Sequence, residues 1–136
     1  MNYFTFWILI SLLLLGGHWG CTSGTQPEET LEYPEKNLSF SRHIHPIFLS
    51  DCAAEDGCHR GARPAAELDL ETATPTFIGR SGLVVIPKDP DHSLLYRLLL
   101  DNFGDTPRMP FQRGQLPENK IRAIRTWIQE GANTQN

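Results

Sequence analysis

The run Cys52-Ala-Ala-Glu-Asp-Gly-Cys58-His59 constrains this chain more than any other segment. Two thiols this close in sequence fix a loop only if something bonds them, and the compartment decides what that is. The start of the chain points to export. Residues 3–15 form an apolar stretch without a charge. As a helix they would rise only about 20 Å, too short for the hydrocarbon core of a bilayer. Such a stretch fits a secretory signal peptide over residues 1–20. In an oxidising compartment Cys52 and Cys58 do not stay free thiols by default. A disulfide, a metal site and a pair of thioether bonds are the three outcomes open to them.

Gly16, Gly17 and Gly20 follow the apolar stretch, and then comes Cys21. An apolar run ending in Gly-Cys resembles a bacterial lipoprotein signal, which implies lipidation at Cys21. The mature protein is then a membrane-anchored lipoprotein, periplasmic or on the cell surface. Residues 21–37 are dominated by Ser, Thr, Gly, Gln, Pro and Glu. They bury little and read as a flexible tether.

The remainder makes one small domain with a modest core, over residues 38–133, and a tail at 134–136. A net charge of -4 without a block of basic residues argues against nucleic-acid binding. The first predicted helix spans residues 40 to about 50, with Ser39 or Ser41 as cap and Phe40, Ile44, Ile47 and Phe48 on one face. Pro46 lies inside it, so the regular helix starts near His43 or kinks. Residues 53–76 read as irregular, with a weak strand-like alternation at Leu68 and Leu70. A second helix has Asp89 as cap, Pro90 in its first turn and residues 93–100 as body, burying Leu94, Leu95, Leu98 and Leu99. The last runs from Pro117 to Glu130, with Gly131 as the stop and Ile121, Ile124, Trp127 and Ile128 as its apolar stripe. The fold class is therefore mainly α, with long irregular loops.

The Cys58-His59 pair matches the end of the c-type haem attachment signal C-x-x-C-H, although the gap between the cysteines is three residues longer. In that reading two thiols bond the porphyrin edge and the adjacent histidine becomes an axial ligand. The other axial ligand is commonly a methionine. Beyond Met1, the chain has a single methionine, Met109, in a Pro/Gly-rich loop between two apolar helices.

An ordered series of fragments carries a family resemblance. It runs through Phe40, Ile44-His-Pro46-Ile-Phe48, Cys52, Cys58-His59, Leu68-Asp-Leu70 and Val84-Val-Ile-Pro87-Lys-Asp-Pro90-Asp-His-Ser93-Leu-Leu-Tyr96. Met109-Pro110 and Ile121, Ile124, Trp127-Ile128 and Gly131-Ala132 complete it. The series resembles the planctomycete-type cytochrome c domain. That resemblance implies a small cytochrome c-like helical fold whose first and last helices touch through Phe40, Ile44 and Phe48 against Ile124, Trp127 and Ile128. It implies one covalent haem c, held by Cys52 and Cys58, with His59 proximal and Met109 distal. Residues 53–57 would have to bulge, with Gly57 helping the turn.

The function expected is single-electron transfer by a monomer with redox proteins as partners, and no catalytic turnover of its own. A disulfide between Cys52 and Cys58, stapling a non-haem binding or structural module, is the rival. A zinc site from Cys52, Cys58, His59 and His43 or His45 has suitable ligand types. A haem sensor with a displaceable Met109 is a third class. His43, His45 and His92 are candidates for bis-histidine ligation, and each also suits a capping or surface role. Trp127 reads as core, with its indole N–H available to a haem propionate. Arg108 and Arg113 flank the methionine and suit solvent or a propionate.

Overall fold

The computed structural model describes residues 32–136 apart from residue 56. The leader, Cys21 and most of the tether lie outside the described residues. Helix α1 covers residues 40–52, and its hydrogen bonding is unusual. Wide i→i+5 turns over Phe40–Ile44 and Phe48–Cys52 flank a short regular stretch, His45–Ile47. Pro46 is the reason: it has no N–H to give and its ring crowds the preceding turn, so the ladder widens on either side. Ser39 starts the helix. Its Oγ accepts from Arg42 N, while its own N–H donates to His43 Nδ1 at 2.9 Å. This reciprocal arrangement satisfies two end groups at once.

A one-turn 3₁₀ segment at Ala65–Glu67 follows, then a hairpin of β1 (Ile78–Gly79) and β2 (Gly82–Leu83). The strands are antiparallel, with Ile78 opposite Leu83 and Gly79 opposite Gly82. Helix α2 is Leu94–Leu100 and helix α3 is Glu118–Gln129. Helix α2 starts later than the caps suggest. Asp89 spends its carboxylate on His92, accepting from its backbone N–H and pairing with its ring. Ser93 takes over as the N-terminal boundary, fully buried and bonded to Ile86 and Asp89. Helix α3 stops at Gln129 with Glu130 as its cap, and Gly131 follows with a φ of +113° that suits glycine, its N–H donating to Ile128 O.

The core lies where α1 meets α3. Phe40, Phe48, Phe77 and Trp127 form an aromatic cluster, with Trp127 5.5 Å from Phe40 and 6.1 Å from Phe48 between ring centroids. Ile44, Ile124 and Ile128 are wholly buried beside them. The contact expected between the first and last helices is thus made. Trp127 donates its indole N–H to Asn133 O at 3.0 Å, so that proton is taken within the fold.

Residues at both margins of the domain also join it. Tyr33, which the composition places in the tether, is buried in the core cluster. Asn136, placed in the tail, accepts from Phe40 N and Ser41 N and donates to Leu38 O. Glu130 accepts from Leu38 N at 2.9 Å. Helix α1 is therefore clasped by the segment after α3.

Candidate cofactor site

A cavity of about 340 Å³ opens between the end of α1, α2 and the loop that follows α2. Its wall is mostly aliphatic, with Leu68, Leu70, Leu94, Leu95, Leu98 and Leu99 prominent. The leucine face of α2 was legible in the sequence, and its partner is this cavity as well as the core. Cys52, Cys58, His59 and Met109 all line the same space. The sequence spreads these four residues over two distant segments, and the fold brings them together.

Between the cysteines, Ala53 is buried and Gly57 lines the cavity. Gly57 N donates to Ala54 O at 2.5 Å, closing a tight turn, and His59 N donates to Cys52 O at 3.1 Å. The chain thus leaves Cys52, loops, and returns beside it at His59. Gly57 is needed for close approach: a Cβ there would lie 2.6 Å from Ala54 N and 2.8 Å from Ala53 Cα. Beyond the loop, Ala65 N donates to Cys58 O at 2.7 Å and Leu70 N to His59 O at 2.9 Å.

His59 Nδ1 lies 3.2 Å from Leu68 O. A carbonyl can only accept, so this bond places the ring proton on Nδ1 and leaves Nε2 with its lone pair free. Metal-binding histidines are commonly oriented in this way. Met109 is partly buried against the core, and its N–H donates to Leu98 O at 2.7 Å, fixing the loop to the last turn of α2.

The two thiols differ. Both are free, and Cys58 is exposed. Burial pushes the Cys52 thiol up to about 12, with the neighbouring Asp51 carboxylate adding to the rise against the pull of Lys120 and Arg113. Asp51 is held by Lys120 at 2.8 Å, an ion pair that joins the end of α1 to the start of α3. Burial also raises the Tyr33 phenol near this pair.

The other candidates lie elsewhere. His43 is occupied by Ser39 N, His45 Nε2 sits 3.1 Å from Glu71 O, and His92 pairs with Asp89. None of the three lines the cavity, whereas His59 does. No group of three or more His, Cys, Asp or Glu suited to a metal ion occurs among the described residues. Arg113 lines the cavity. Arg108 is half-buried and does not line it; its Nη1 is buried without a hydrogen-bond partner. Sequence reasoning missed the β1–β2 hairpin, which contributes Gly79, Arg80 and Ser81 to the wall. The signal was present in Gly79-Arg80-Ser81-Gly82, a two-residue turn between glycines.

Fold and site together define a small, mainly helical domain around an apolar cavity with thiol, imidazole and thioether groups on its wall. Residues 57–110 match the family described as Planctomycete cytochrome C. That match supports a planctomycete-type cytochrome c domain, and the matched stretch takes in Cys58, His59 and Met109. Neither a search of curated proteins nor one of solved structures gave a match. The family implies a c-type haem, and the residues present suit one: an aliphatic wall for the macrocycle, a histidine with Nε2 free, a thioether sulfur and two thiols.

Proposed function

We propose that this protein is an exported, lipid-anchored monohaem c-type cytochrome that carries single electrons. Cys52 and Cys58 hold the one haem covalently, His59 is its proximal ligand and Met109 its distal ligand. When bound, the haem supplies a one-electron iron couple. The chain's own residues orient the imidazole, close off water with the leucine wall and bias the couple. Methionine ligation in an apolar pocket favours the reduced form and so a higher potential than bis-histidine ligation gives. The protein works as a monomer without catalytic turnover, meeting redox partner proteins through small, transient contacts. The anchor is the lipid on Cys21, and the location is the periplasm or cell surface.

The observation that carries this reading is the convergence of Cys52, Cys58, His59 and Met109 on one aliphatic cavity. It also favours the cytochrome over a disulfide-stapled module, which gives neither His59 nor Met109 a duty. The test is the visible spectrum of protein produced alongside a haem-maturation system. Haem that stays with the protein through denaturation and extraction is expected, with a methionine-to-iron charge-transfer band that Met109→Ala abolishes. Protein that emerges without haem sinks the reading. A high-spin ferrous spectrum with ready CO uptake would favour the sensor instead.

A further inference from the structure

The cavity wall is largely apolar, whereas a haem is not apolar throughout. One edge of the porphyrin bears two propionate carboxylates, and burying a carboxylate without a donor or a cation is costly. Among the described residues that line the cavity, Arg80 and Arg113 are the two with a permanent positive charge. They serve different places. Arg113 acts on Cys52 together with Asp51 and Lys120, which puts its charge at the thiol end. Arg80 stands at the tip of the hairpin.

That tip is firmly placed. Arg80 N donates to Ala66 O at 2.7 Å. Gly79 packs so closely on the same carbonyl that a Cβ would come within 2.9 Å of it. Ala66 and Glu67 hold left-handed φ values of +52° and +60°, a conformation unfavourable for a residue with a Cβ. The hairpin stabilises this turn, and backbone held against its preference is a recurring feature of ligand clamps. Arg80 Nε reaches Glu67 Oε1 at 3.3 Å, with the two side chains 72% and 69% exposed. Such a pair is screened by water and orients the guanidinium without neutralising it. The terminal nitrogens have no hydrogen bond among the described residues, which leaves the planar fork open to a carboxylate.

We infer that the Arg80-Ser81 turn is the carboxylate subsite of this cavity, where the Arg80 guanidinium receives a haem propionate; this rests on the haem reading above. The other charged or titratable groups on the wall are Asp51, Cys52, Cys58, His59 and Arg113, with Glu67 on Arg80 itself. A cation beside a carboxylate lowers its pKa by about 1–3 units, and a positive charge near the iron favours the reduced form. Arg80 therefore keeps the propionate ionised through neutral pH.

The experiment is spectroelectrochemical titration of haem-bearing protein across pH, comparing the wild type with R80Q, R80K and R113Q. In R80Q the midpoint potential should fall, and the propionate-linked bend of the potential-against-pH curve should move up by about 1–3 pH units. R80K should restore most of the wild-type curve. R113Q should lower the potential while leaving the bend in place. Haem-bearing R80Q with the wild-type curve overturns the inference and leaves the cytochrome reading standing. A bend that moves in R113Q and stays fixed in R80Q overturns it equally. Wild-type protein that emerges without haem overturns both.

Discussion

The two sides of the molecule are built on different terms. Where α1 meets α3, aromatic rings interlock, with centroid separations from 5.4 to 6.3 Å among Phe40, Phe48, Phe77 and Trp127. Where α1 faces α2, the wall is aliphatic and surrounds a cavity. Phe48 and Ile124 belong to both sides, so the aromatic core is the floor on which the cavity rests. Changes on the closed side should therefore be read in stability, and changes on the open side in cofactor chemistry.

The largest effect should come from Trp127→Ala. It removes the ring that touches all three phenylalanines and breaks the indole bond to Asn133 O. A core aromatic truncated to alanine costs about 3–5 kcal/mol, a large share of the about 5–15 kcal/mol that a domain of ordinary stability has. Chemical denaturation of the haem-free protein measures it. A loss below about 1 kcal/mol would break the comparison, because the closed side would then not be the source of stability.

Gly57→Ala should cost less, about 1–3 kcal/mol, by overpacking a turn that has no room for a Cβ. Here the comparison sharpens, since the loop belongs to the open side and its backbone positions Cys52 against His59. Mass spectrometry of haem-bearing protein should show attachment reduced more than folding. A variant that folds less well yet attaches haem at the wild-type level would assign the turn to the fold alone.

Much of this was legible in the sequence, for physical reasons that also mark where legibility stops. Helical period exposed the faces of α1, α2 and α3, and the glycine at 131 marked a true end. Pro46 announced a break in α1, but not that the helix would answer with wide turns on both sides. Asn136 and Tyr33 left no periodic trace, since their roles depend on partners distant in the chain. The hairpin is too short for an alternation pattern, and only its glycines betray it. The thiols, His59 and Met109 stood out by type and rarity. The cavity that unites them could not be read, because a buried leucine face looks alike in sequence whether it meets another helix or a ligand space.

The smallest effect separates the two thiols. Cys52 ionises near its ordinary 9.0 when unfolded, and burial moves it to about 12 in the fold. A raised pKa gives stability that is complete below the unfolded value and is lost as pH climbs through the folded one. Haem-free protein should thus lose stability between about pH 9 and 12. Cys52→Ala should remove that part of the slope, leaving the remainder to Tyr33, whose phenol is also raised by burial. A thioether has no proton to lose. Haem-bearing wild type should therefore match haem-free Cys52→Ala in its alkaline slope if Cys52 is bonded to the porphyrin. Melting temperatures recorded across that range measure the difference. An alkaline slope that persists in full after haem attachment would show Cys52 still a thiol, and would confine the covalent bond to Cys58.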